Sequence, residues 1–298
     1  MKISEDLGPS SPLAFLGLQL ERDAKNDDLI VHQRTFVTQL LQKYGLELTG
    51  PNKAKGVSAV VAPVPNPETE RPPTLKELRD LQAAAGELNW LATRTRADLG
   101  YFASVLASGP ARYAEWCEDF FNKVLRYLVK THDAGLRFPR AGREQNLQCW
   151  TDAGYGGEGT KGQSGVLVAW AGAVILWRSS KQSTSSLSTC ECEVGAAALG
   201  FQIVEGLRAL LDEWGVRLDP PALYQDNQSA LTVIEQGGTW RTRYFATRAS
   251  RLSEEHKLKT IILHYCPTKL MAADGLTKLS TAETVSYTHL TLPTILRV

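Results

Sequence analysis

The sequence predicts an α/β chain whose second half is a mixed five-stranded sheet in the order βββαβαβα, preceded by a β-hairpin and a helical region. Three observations carry this prediction. Residues 146–180 read as three strands in succession, residues 186–280 as helices alternating with strands, and residues 15–130 as a hairpin followed by helices. Successive strands pair antiparallel, whereas strands separated by a helix must cross over and run parallel, so both kinds of pairing enter one sheet.

From the N-terminus, FLGLQLERDAKNDDLIVHQRTFVTQLLQKYGL alternates apolar and polar residues from Phe15 to Leu20 and turns at Lys25 to Asp28. It alternates again from Leu29 to Val31, which makes a hairpin followed by a helix. GVSAVVAPVPNPETERPPTL, residues 56–75, is proline-rich and aperiodic and reads as a linker, placing a boundary near residue 70. LKELRDLQAAAGELNWLATRT and EWCEDFFNKVLRYLVKT are helical, with Trp90, Leu91, Phe120, Leu125 and Leu128 as core positions.

LQCWTDAGYGG is then a strand ending in a glycine turn, and SGVLVAW and GAVILWRSS are strands joined by an Ala171-Gly172 turn. SLSTCECEVGAAALGFQIVEGLRALLDEWG is a long helix stopped by Gly215. Strand PALYQD, helix NQSALTVIEQGG, strand TIILHYC and helix KLMAADGLTKL complete the order. The resulting division is 1–55, a linker at 56–73, a helical region at 74–143, an α/β domain at 144–282 and an unassigned tail at 283–298.

With 298 residues, 43% of them hydrophobic, the chain has enough material for a sizeable core and for two domains. A formal net charge of +1 supplies no global field for nucleic acid or membrane, although it leaves room for a local basic face. Five cysteines without a CxxC pair, and no apolar leader, point to a reducing, intracellular setting. No run of about 18 consecutive apolar residues suggests a membrane helix.

In a mixed sheet of this kind ligands gather at the carboxyl ends of the parallel strands. Four acids fall near that edge: Asp152 at the end of the first strand, Glu193 early in the long helix, Asp226 at the end of the fourth strand and Asp274 at the start of the last helix. Gathered together they would repel one another unless a cation intervened. Hard divalent ions such as Mg²⁺ take oxygen ligands, and two of them can activate water and stabilise the leaving oxygen of a phosphodiester. Each acid also has a local reading: Asp152 as a turn residue, Asp226 as a helix N-cap, Asp274 as a favourable charge at a helix start. Ser188-Thr189-Cys190-Glu191 fits a capping box that turns Glu191 back to the Ser188 N–H and leaves Glu193 free.

TDAGYGG, GAVILWRSSKQSTSSLSTCECEVGAAA, LYQDNQSAL and AADGLTKL, in this order, resemble successive motifs of the ribonuclease H domain that ends copia-type (Pseudoviridae-like) retrotransposon polyproteins. The resemblance implies a ribonuclease H-like fold for residues 144–282, with Asp152, Glu193, Asp226 and Asp274 as metal ligands and catalytic residues. Glu193 takes that role because the family's acid immediately precedes the position of Val194. It also implies two Mg²⁺ ions, with Mn²⁺ as a substitute, an RNA/DNA hybrid as substrate, and an intracellular setting in a cytoplasmic element particle or the nucleus. The remainder of the reverse transcriptase polyprotein is the implied partner, without a membrane.

The first half is similar to the end of the same polyprotein's reverse transcriptase palm and its thumb (1–55), then to its connection (74–143). The paired-aspartate signature of a polymerase is missing, since Asp27-Asp28 sits in the hairpin turn, so DNA synthesis is not expected of this chain. RTRYFATRASRLSEE departs from the family where a histidine is usual, leaving only His256, more simply read as a solvated residue. Arg178 and Lys181 at the end of the third strand, with Arg241, Arg243, Arg248 and Arg251, are candidate phosphate contacts. A decayed element that binds nucleic acid without cutting it is the alternative reading.

Overall fold

The computed structural model describes residues 12–61, 71–109, 113–140, 146–156 and 160–278. Residues 62–70 of the proline-rich stretch and the whole 283–298 tail lie outside these residues. The chain forms two compact units, dividing after residue 140.

In the first unit, strands β1 (Leu13–Phe15), β2 (Leu18–Arg22) and β3 (Leu29–His32) form an antiparallel meander. The turn between β1 and β2 uses Leu16 and Gly17, both at positive φ. Helices α1 (Arg34–Lys43), α2 (Leu75–Ala92), α3 (Gly100–Ser108) and α4 (Ala114–Lys130) follow. Strand β4 (Gly135–Phe138) then pairs antiparallel with β3, placing Val31 opposite Leu136. Segments on both sides of the proline-rich stretch thereby share one sheet and one core. Val37 and Leu41 of α1, Leu88 and Leu91 of α2, Phe102 of α3 and Phe120, Leu125 and Leu128 of α4 pack in that core. Trp90 is only half-buried, with the Arg94 guanidinium 4.8 Å from its ring centroid.

Asp27 and Asp28 lie in the β2–β3 turn, with Asp27 at φ 58°. Asp28 accepts from Arg137 at 2.9 Å, and Asp27 pairs with Arg22 and Arg140, which is the turn role expected of them. Arg96 is buried, with a two-pronged bond to Asp98 (3.0 and 2.8 Å), and the Tyr127 hydroxyl donates to the same carboxylate at 2.7 Å. Pairing leaves neither buried charge uncompensated.

In the second unit, β5 (Gln148–Gly154), β6 (Lys161–Trp170) and β7 (Ala173–Ser185) run antiparallel, with Ala171 and Gly172 at positive φ making the expected tight turn. Helix α5 (Thr189–Glu213) crosses to β8 (Ala222–Gln225), and α6 (Gln228–Gln236) and α7 (Ala246–Lys257) cross to β9 (Ile262–Tyr265). The sheet order is β7-β6-β5-β8-β9, with β5, β8 and β9 parallel.

Two elements differ from the sequence-based order. Helix α7 forms between α6 and the last strand, because Ala249, Leu252 and Ser253 make a buried stripe at helical spacing with Phe245 beside it. That stripe contains only two large apolar residues, so the sequence shows it weakly. The expected last helix is instead two 3₁₀ turns, Thr268–Leu270 and Asp274–Leu276. Met271, Ala272, Ala273, Gly275 and Leu276 are all buried, which one face of an α-helix could not achieve.

Helix α5 is capped by Ser188, which accepts from the Glu191 N–H at 3.2 Å. Glu191 reaches back one residue further than expected, accepting from the Leu187 N–H at 2.8 Å. By length and composition alone α5 is apolar enough to cross a membrane. Its apolar residues Val194, Ala197, Phe201 and Val204 nevertheless belong to the core of this unit. Gly200 allows α5 to approach the sheet: a Cβ there would lie 2.4 Å from Thr151 Cγ2 and 3.0 Å from Cys149 Sγ, whereas Gly206 faces open space.

The two glycines therefore have opposite expected effects. Gly200→Ala should destabilise the chain by about 1–3 kcal/mol through overpacking, and Gly206→Ala should stabilise it by up to ~1 kcal/mol through helix propensity, both read by urea denaturation.

Candidate active site

Parallel pairing sets Trp150 opposite Tyr224. Two residues further along each strand come Asp152 and Asp226, level with each other at the carboxyl ends of β5 and β8. Helix α5 brings Glu193 to the same edge from its second turn. Oxygens of Asp152, Glu193 and Asp226 lie within 4.8 Å of one another. Asp274, the first residue of its 3₁₀ turn, stands beside them, close enough for its charge to act on Asp152.

The site is built to hold these acids still. The Thr277 hydroxyl donates to Asp152 Oδ2, and the Thr268 hydroxyl donates to Asp226 Oδ2 at 2.9 Å. Gln225 is fully buried; its Oε1 accepts from the Asp226 N–H at 3.0 Å and its Nε2 donates to the Glu193 carbonyl at 3.4 Å. Gly165, opposite Asp152, has no room for a Cβ, which would fall 2.8 Å from Thr277 Cγ2 and 2.9 Å from the Ala273 carbonyl. The turn carrying Asp274 and Thr277 therefore packs directly on the sheet. The cap of α6 is Asn227, accepting from the Ala230 N–H at 3.0 Å, so Asp226 is released from the capping role.

Asp152 and Glu193 are 5% and 6% exposed. Burial pushes the Asp152 carboxyl up to about 6, with the charges of Asp274 and Asp226 adding to the rise and the Thr277 hydrogen bond opposing it. Burial likewise pushes Glu193 up to about 9, reinforced by Asp152 and Asp226. Glu193 Oε2 is buried without a hydrogen-bond partner. An all-oxygen donor set, close-packed like charges and an unpartnered buried oxygen together fit a hard divalent cation.

The basic candidates fare differently. Arg178 and Lys181 are exposed on β7. Arg243 is exposed and clamped between the rings of Trp240 and Tyr244, at 4.4 and 4.5 Å from their centroids. An Arg248 guanidinium nitrogen lies 3.8 Å from where a Cβ of Gly195 would stand, two residues along α5 from Glu193. The exposed Arg251 guanidinium pairs with Glu255 at 2.5 Å and Glu254 at 3.9 Å. The Arg241 side chain lies outside the described residues. His256 is half-buried in α7 with Nδ1 unpartnered, rather than solvated.

Thr268, Thr277, Gln225 and Lys278 escaped the sequence reading. Their only signal is position, within a few residues of an acid, and hydroxyls and amides at such places commonly serve turns.

No family model matches the chain. Over 209 residues, 68% of its length, it is 25% identical to the Transposon Ty1-NL2 and Ty1-DR6 Gag-Pol polyproteins of Saccharomyces cerevisiae. The chain is thus similar, over two thirds of its length, to transposon Gag-Pol polyproteins. The match spans 12% of the length of those relatives. Among solved structures, LC11-RNase H1, isolated from compost by a metagenomic approach, aligns at 15% identity with 44% of this chain and 92% of its own (TM-score 0.37). RNase H1 of Halobacterium salinarum NRC-1 aligns at 11% identity with 43% and 90% (TM-score 0.32). Strands β5 to β9 form the mixed five-stranded sheet expected from the sequence.

Both buried carboxyls titrate higher folded than unfolded. Their neutral forms favour folding at low pH, and that contribution is lost as pH rises through about 6 for Asp152 and about 9 for Glu193. In EDTA, stability should therefore decline from about pH 5 to about pH 9. Glu193→Gln should flatten that decline and raise stability at the alkaline end by on the order of 2 kcal/mol, measured by urea denaturation across pH.

Proposed function

We propose that this chain is a ribonuclease H that hydrolyses the RNA strand of RNA/DNA hybrids, as the C-terminal part of a retrotransposon Pol polyprotein. The observation that carries this reading is the convergence of Asp152, Glu193 and Asp226 at one sheet edge, with Asp274 beside them. These four residues would hold two Mg²⁺ ions, with Mn²⁺ as a substitute. When bound, such ions activate water and stabilise charge on the phosphodiester oxygens.

The chain's own groups set up that chemistry. Thr277 and Thr268 fix the orientation of Asp152 and Asp226, as partners of ligating carboxylates generally do. Burial of Glu193 and Asp152 keeps bulk water from screening the cluster. Arg178, Lys181, Arg243 and Arg248 would contact the phosphate backbone, and contact of that kind is independent of sequence. Discrimination of RNA from DNA would rest on 2′-hydroxyls across the shallow minor groove of the hybrid. The first unit takes the part of reverse transcriptase palm end, thumb and connection, with the rest of the polyprotein as its partner.

The test is cleavage of a strand-labelled hybrid. Activity should require Mg²⁺ or Mn²⁺, vanish in EDTA, act on the RNA strand alone and fall at least about a hundredfold in Asp226→Asn, since even indirect partners of metal ligands matter by 10–100-fold. Hybrid binding without cleavage at any divalent concentration would replace this reading with that of a decayed binding module. For the contacts, Arg243→Ala should lower the slope of log affinity against log salt by about one.

A further inference from the structure

Lys278 lies four residues beyond Asp274, directly after the threonine that orients Asp152. Its ammonium pairs with Asp274 Oδ1. The same charge acts on Asp152 and Glu193, opposing the rise of both carboxyls, and interacts with Asp226. Among the described ion pairs it is the one cation joined to any of the four acids. The side chain is nonetheless 54% exposed, so water is open to it if it lets go. A flexible stem with a point charge suits a group that must reach a site and leave it again, whereas a planar guanidinium suits a fixed contact.

We propose that Lys278 is a built-in competitor of the divalent cation: its ammonium neutralises part of the acidic cluster in the metal-free chain and withdraws to solvent when the cation binds. This proposal rests on the reading of the four acids as a cation site and adds a residue that sets the affinity of that site. The physical reason is charge balance. Asp152, Glu193 and Asp226 lie within 4.8 Å of one another with Asp274 close by, so each resists the ionisation of the others, and one ammonium at their edge relieves part of that repulsion until a doubly charged ion relieves more. Lys278 then makes the metal-free fold less costly at the expense of metal affinity.

Calorimetric titration of Mg²⁺ into the full chain at low ionic strength tests this with no catalytic readout. Lys278→Met should bind Mg²⁺ at least about tenfold more tightly than wild type, the size of effect one close charge has on a neighbouring ionic equilibrium. Lys278→Arg keeps the charge and should stay within about threefold of wild type, which separates a charge effect from a packing effect. Without metal, Lys278→Met should melt at a lower temperature than wild type, and Mg²⁺ should raise its melting temperature by more. Wild-type affinity in Lys278→Met, or weaker binding, overturns the proposal and leaves the cation site standing. Failure of wild type to bind Mg²⁺, with no change in Asp226→Asn, overturns the cation site and the proposal with it. Should Lys278→Met not fold, the ¹³Cε resonance of Lys278 in wild type, assigned with Lys278→Arg, decides: movement on Mg²⁺ addition supports the proposal and a stationary resonance overturns it.

Discussion

Like-charge repulsion at the carboxyl edge of the sheet is the constraint on which the second unit depends. At an effective dielectric constant of about 20, two unit charges 4–5 Å apart repel by roughly 3–4 kcal/mol, and this site brings several such pairs together. Folding alone does not favour such a cluster; apolar packing must hold it. Helix α5 seats on the sheet through Gly200, the 3₁₀ turn of Asp274 seats on Gly165, and Gln225 ties the end of β8 to α5. The two glycines bring backbone segments closer than ordinary side chains would allow. The acids are consequently fixed from two faces of the sheet and cannot move apart to relieve their repulsion.

Much of this was legible in the sequence because it is written in strand and helix periodicity. The mixed pairing follows from three successive strands and then helical crossovers, and the placement of Asp152 and Asp226 follows from their position at parallel strand ends. The capping pattern that occupies Glu191 leaves Glu193 free, the family resemblance points to Glu193 as well, and the structure keeps Glu191 on the helix start. Asp226 was open to two local readings, and Asn227 resolves them by taking the cap.

What periodicity does not encode was harder to see. Helix α7 buries small and polar residues, Ala249 and Ser253, so its stripe carries little hydrophobic contrast. The segment around Asp274 looked helical because alanine and leucine favour helices, but tertiary packing on Gly165 overrides that propensity. Strand β4 is four residues long and pairs with a strand about a hundred residues earlier, a contact that no local window can reveal. Thr277 and Thr268 are ordinary in sequence, and their importance arises only where the chain brings each hydroxyl onto a carboxylate.

The central claim is that Asp152, Glu193 and Asp226 share a divalent cation, with Asp274 completing the cluster. Diffraction from crystals of the full chain soaked in Mn²⁺, recorded at a wavelength where manganese scatters anomalously, tests it most directly. An anomalous peak is expected bonded to carboxylate oxygens of Asp152, Glu193 and Asp226, at the carboxyl ends of β5 and β8. Manganese bound elsewhere, with these three carboxylates unliganded at saturating concentration, would contradict it.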